Sequence, residues 1–311
     1  MGSEWSGQGL PPAARARMAE IKASGTWGSA LSTGEFAAIK SAGFEPVGQV
    51  LGAAVYNIGY TGGYYCPAYG SFSAMGGYRR LPTGAGYTVV SSSGGNAAYG
   101  PLVQTMYAAR RAAVGRMRAE CSALGGHGVV GVRLAIGHFP AGGLEFRAIG
   151  TAVRAPGAPP LPQPFTSDLS GQEFGKLILD GVVPVGLAFG ISIGTRHDDW
   201  LTRSQSRWGA GNTEVSGYTD LVSRTRQDAR NELGIDVARM GGEGVVIASM
   251  DLRIGEHECR SQEGARDHTA EVTIIGTVIT HFRSSRRSAE RPSLAILSLD
   301  PQRRQAARVR I

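Results

Sequence analysis

The sequence predicts an α+β fold in which two tandem units each pack a small antiparallel sheet on one long helix. Three observations predict it. "LGGHGVVGV" (124–132) returns as "MGGEGVVIA" (240–248), 116 positions later. "SALSTGEF" and "GFEPVG" return as "SDLSGQEF" and "GVVPVG" at an offset of 138. "EFRAIGTAV" (145–153) returns as "EVTIIGTVI" (271–279) at 126. Constant order with changing offsets marks one duplicated unit whose loops differ in length.

Each unit opens on a short helix. Ser32 and Glu35, then Ser170 and Glu173, place a hydroxyl three residues before a carboxylate, the spacing of a capping box. Gly43 and Gly181 supply a left-handed exit, and strands follow in "PVGQVLGAAVY" and "PVGLAFGISI". The long helix of the first unit carries Val103, Met106, Ala113, Met117, Cys121 and Leu124 on one apolar stripe. Val222, Ala229, Leu233 and Val237 repeat that stripe in the second. "VVGVRLAI" is short and β-branched and reads as a strand. The strands around Glu145–Val153 and Glu271–Ile279 complete one antiparallel hairpin per unit.

"GHGVVG" (126–131) fits G-x-G-x-x-G, the glycine pattern of dinucleotide sites. Here the order is helix, glycines, strand. The glycines cap a helix C-terminus, whose negative dipole end repels phosphate, and the second copy has Ile247 at the last glycine. Dinucleotide binding is not expected.

Length and composition agree with two domains. The chain has 311 residues, 42% of them hydrophobic, and no apolar run long enough for a membrane span. Its 32 basic residues are 29 arginines and three lysines, the bias of a GC-rich bacterial genome. Three widely spaced cysteines make no disulfide framework. A cytoplasmic bacterial protein is expected. Its divisions are 1–154 (N-terminal helices and first unit, with a Gly/Tyr-rich insertion at 60–100), a Pro-rich linker at 155–166, a second unit at 167–282, and a basic tail at 283–311.

The helix, the glycine turn with Val-Val-Gly-Val, and the strand ending Ile-Gly-Thr-Ala-Val-Arg together resemble the YbjQ-like family, described as a heavy-metal-binding domain. The resemblance is close over 45–154 and looser over 183–282. It implies a small α+β domain shaped like a dodecin subunit that assembles as a pentameric ring, here with two units per chain. A homo-oligomer, a pentamer of chains, is therefore the expected state.

A soft divalent metal needs Cys, His or carboxylate groups converging on one point. Cys121 pairs with Val237 in the duplicate and reads as core. His127 reads as an exposed turn residue. The richest candidate set is His257, Cys259 and His268 in the second unit's loop 255–268, with Glu258 or Asp267 adding oxygen. "RHDDW" (196–200) reads as a second polar cluster or a solvated turn. No nucleophile with a placed base is present, so no enzyme activity is expected. Tyr64, Tyr65, Tyr69 and Tyr78, spaced by glycines, suit contact with a protein partner. Arg303, Arg304, Arg308 and Arg310 suit an anionic partner, and "SLAILSL" (293–299) reads as a strand. Two functions follow: a ring that binds metal, or a structural ring that docks on a larger assembly through the tyrosine loop or the tail.

Overall fold

A computed structural model describes residues 5, 7, 9–57, 86–92, 99–140, 143–259 and 266–282. After a first helix, α1 (Pro12–Ser24), the two halves build matching elements. In α2 (Thr33–Ser41), the Ser32 hydroxyl accepts the Glu35 N–H at 3.3 Å, while the Glu35 carboxylate accepts the Ser32 N–H at 2.7 Å. In α4 (Gly171–Leu179), Ser170 and Glu173 do the same at 3.3 and 2.8 Å. Gly43 and Gly181 leave these helices at φ +83° and +78°, the left-handed region open to glycine. They lead into β1 (Glu45–Asn57) and β6 (Val182–His197).

The long helices α3 (Gly100–Ala123) and α6 (Ser216–Arg239) follow, with a short α5 (Trp200–Gln205) before the latter. Each runs into a glycine turn and then a hairpin: β3 (Gly128–Phe139) with β4 (Gly143–Arg154), and β7 (Gly244–Glu258) with β8 (Arg266–His281). Two short strands, β2 (Thr88–Val90) and β5 (Phe165–Thr166), complete two four-stranded sheets. Their orders are β1-β4-β3-β5 and β2-β6-β8-β7, an α+β fold.

Helix and sheet meet at two glycines. A Cβ on Gly52 would lie 1.9 Å from the Ala113 carbonyl oxygen, and one on Gly190 would lie 2.1 Å from that of Ala229. The absent side chain lets each long helix press on its first strand. A second tie accompanies the first: Glu120 accepts the Leu51 N–H at 2.7 Å, and Asp236 accepts the Phe189 N–H at 3.1 Å. Val103, Met106, Ala113, Met117 and Cys121 are buried against β1, β3 and β4, as the apolar stripe requires.

The halves interlock. Leu187, Phe189, Ile191 and Ile193 face the core of the first half, while Ala188 packs with Ala229, Leu233 and Ile274 on the other side. β6 is therefore buried on both faces and shows no alternation, whereas β1 alternates. The Pro-rich stretch 155–166 differs from the expected spacer between separate domains. Its end, β5, pairs in parallel with β3 of the first half. β2, inside the 60–100 insertion, pairs with β6 of the second. Strand edges offer unpaired backbone groups, and these short segments satisfy them. Residues through His281 make one compact unit.

Tyr64, Tyr65, Tyr69, Tyr78, the strand expected at 293–299 and Arg303, Arg304, Arg308 and Arg310 lie outside the described residues. Among the described residues, no helix is long and apolar enough to cross a membrane.

Candidate metal centre

The ladder of the second sheet brings three chemistries to one end. β6 ends at His197, β8 begins at Arg266, and the two strands place His197 opposite Asp267. Cys259 directly follows β7. Donor atoms of His197, Cys259 and Asp267 all lie within 4.8 Å of one another, and all three residues are buried. His197 Nδ1 stands 2.7 Å from Asp267 Oδ1. A carboxylate on one ring nitrogen fixes the imidazole's orientation, the usual support for a histidine ligand.

Of the residues expected there, Cys259 and Asp267 belong to this cluster, while His257 and His268 do not. His268 lies beside Asp267 in sequence, so its side chain leaves the opposite face of the strand. There His268 Nδ1 meets Asp198 Oδ1 at 3.0 Å, and the ring rests on Tyr218 at 4.5 Å between centroids. Tyr218 donates to Asp198 Oδ2 at 3.2 Å. Burial, then the Asp198 charge, pushes the Tyr218 phenol above its ordinary value. His257 is exposed on β7. The set expected at 255–268 thus splits across two faces and the strand edge.

"RHDDW", expected as a second polar cluster or a solvated turn, has Arg196, His197 and Asp198 buried and Asp199 half-buried. Arg196 bridges Asp199 at 3.2 Å and Asp220 at 3.1 Å. His197 and Asp198 are buried through their bonds to Asp267 and His268. The signal was the density of His and Asp at a strand end, but only the strand register shows which partners face them.

Two other expectations are settled here. Cys121 is fully buried and donates to the Gly128 carbonyl at 3.3 Å, and burial pushes its thiol up to about 12. It is a core residue. His127, expected at an exposed turn, is buried instead. Its Nδ1 accepts the Ala155 N–H at 3.1 Å, which leaves Nε2 to donate to the Pro159 carbonyl at 3.0 Å. The following loop folds over the ring.

The two sheets with their packed helices define an α+β protein. Residues 87–156 match the family described as "Putative heavy-metal-binding". The chain is 32% identical over 277 residues to the encapsulin nanocompartment protein Rv1762c of Mycobacterium tuberculosis, covering 87% of this chain and 91% of that protein. It belongs to that protein's family. No solved structure matches the chain. The His197–Cys259–Asp267 cluster lies outside the matched domain.

Proposed function

We propose that this chain is a non-catalytic cytoplasmic protein that self-assembles into a ring, most simply of five chains, and serves as a structural component of a larger assembly. The observation that carries the reading is the relationship over 91% of a protein named for an encapsulin nanocompartment. A duplicated unit supports it, because repeated units build closed assemblies from one recurring contact. The reading of the halves as one duplicated unit is supported by contacts as well as letters. Glu120 on Leu51 corresponds to Asp236 on Phe189, and Gly52 on Ala113 to Gly190 on Ala229. The backbone bond from His127 to Val153 corresponds to that from Glu243 to Ile279, at 2.8 and 2.9 Å. Native mass spectrometry tests the reading. A multiple of the 32.6 kDa chain supports it, and a stable single chain at micromolar concentration overturns it.

A second reading is favoured by the buried cluster. Nitrogen, sulfur and oxygen donors within 4.8 Å of one another suit a soft divalent ion such as zinc. His197 and Cys259 would hold it, and Asp267 would bind it or orient His197. Metal analysis after chelator-free, tag-free purification tests this. About one ion per chain supports it, and none overturns it.

A further inference from the structure

Among the described residues, the contact that joins the two halves has an unused counterpart in each half. Within the chain, residues 165–169 lie along the outer edge of β3 in parallel. Phe165 N–H donates to the His127 carbonyl at 3.1 Å and Ser167 N–H to that of Val129 at 2.9 Å. Val132 N–H donates to the Ser167 carbonyl at 2.9 Å and Gly131 N–H to that of Leu169 at 3.0 Å. At the offset of 138, the first half's counterpart of 165–169 is Trp27–Leu31. At 116, the second half's counterpart of His127–Val132 is Glu243–Ala248.

The counterparts sit in matching surroundings. Ser29 Oγ lies 3.1 Å from Thr151 Oγ1, as Ser167 Oγ lies 3.2 Å from Thr277 Oγ1. Trp27 stacks on Phe36 as Phe165 stacks on Phe174. They differ in what covers them. Thr166, Ser167 and Leu169 are buried, whereas Trp27–Ala30 are exposed. Val129, Val130 and Val132 are buried, whereas Ile247 is 47% exposed and Ala248 is also open. Among the described residues, β7 is the outermost strand of its sheet.

We propose that β7 of one chain takes Trp27–Leu31 of a second copy as a parallel strand, repeating between chains the joint made within each. The proposal rests on the self-assembly reading and names its contact. The Trp27 and Ser29 N–H groups would donate to the Glu243 and Val245 carbonyls. Those of Ala248 and Ile247 would donate to the Ser29 and Leu31 carbonyls. The joint is head-to-tail: a twofold relation between the halves would have closed both edges inside one chain.

Two differences set its strength. Gly171 and Gly175 let α4 lie against Glu35 and Ala38 of α2, but their counterparts are Thr33 and Ala37. The helix pair between chains stands further apart, so this joint is the weaker. Also, Arg17 of α1 pairs with Glu120, as Arg111 of α3 pairs with Asp236. α1 fills over the first half the place that α3 fills over the second, and must leave for a second chain to dock in the same geometry. It is lightly held, with Met18 its one buried side chain and no side-chain cap at its start. α1 gates the joint.

The test uses full-length chains in which Cys66, Cys121 and Cys259 are replaced by Ser, Val and Ser, so that each carries one introduced cysteine. The internal pair Thr166 and Val129 corresponds to Gly28 and Val245, and a Cβ at Gly28 meets nothing within 4 Å. Gly28→Cys and Val245→Cys chains are mixed, oxidised and run on a denaturing gel, with native mass recorded in parallel. A disulfide-linked pair at least five-fold more abundant in the mixture than in either sample alone is expected. Ile247→Lys, which puts a charge on the edge, should abolish it. Met18→Asp should raise its yield at least two-fold, and an unchanged yield removes the gate. An oligomeric mass without the mixed link overturns this joint, whether residues 293–299 or nothing covers β7, and leaves self-assembly standing. A single-chain mass throughout removes both.

Discussion

Asp236 reaches out of α6 to accept the backbone N–H of Phe189, on a strand 47 residues earlier, at 3.1 Å. The same carboxylate holds Arg239 at 2.7 Å and Arg111, from the other half, at 2.9 Å. One side chain thus ties helix to sheet and half to half. Asp236→Ala should cost about 1–3 kcal/mol in urea unfolding, since the Phe189 N–H is left buried without an acceptor. Asp236→Asn keeps an acceptor and should cost less.

The capping boxes should make stability depend on acid. Hydrogen bonds from the Ser32 backbone and hydroxyl hold the Glu35 carboxyl below its ordinary value, and those of Ser170 do the same for Glu173. A depressed folded-state pKa contributes stability that is present above the unfolded value of about 4.3 and is lost as pH falls through the folded value. The Glu35→Gln, Glu173→Gln double variant should be less stable at neutral pH and show a flatter decline below about pH 4.3. Ser170→Ala alone should cost about 1 kcal/mol. Thermal melts from pH 3 to 7 check both.

Glycines of one type should respond in opposite directions. A methyl at Gly190 meets the Ala229 carbonyl oxygen at 2.1 Å and the Leu233 Cβ at 2.9 Å, neither of them the end of a flexible side chain. Gly190→Ala should therefore cost about 3 kcal/mol or more, the upper range of overpacking. Gly115, inside α3, faces open space. Gly115→Ala should stabilise by about 0.5–1 kcal/mol. Denaturant midpoints measured side by side decide it.

The cysteines should separate core from site. Cys121→Val takes the residue found at the matching position 237 and should change stability by less than about 1.5 kcal/mol. Under the metal reading, Cys259→Ser or His197→Ala should reduce bound metal to a small fraction, while His257→Ala leaves it intact. Elemental analysis of the purified variants checks this.

Much of the fold was legible because it is written locally. Ser32 with Glu35, the stripe from Val103 to Cys121 and the turn at Gly125 (φ +73°) each act within a few residues. The interlocking was not. β5 is two residues long and β2 three, too short for any periodicity to show. His127 reads as a turn residue in the sequence because its cover, Pro159 and Ala155, comes from the loop after β4, two strands on. The site was half legible. Cys259 and Asp267 both belong to the loop whose composition drew notice, but His197 comes from a strand 62 positions before Cys259, and only ladder register sets it against Asp267.

The strand lent by residues 165–169 is covalently tied to the half that receives it. Its local concentration is fixed by the intervening loop and not by how much protein is present. An assembly extended by the same contact would have joints of two kinds in strict alternation, one permanent and one reversible. Dilution would open every second joint, releasing whole chains and never single units. The cell could then regulate the size of the assembly through the abundance of this chain, while each smallest piece keeps one finished joint as a template for the next.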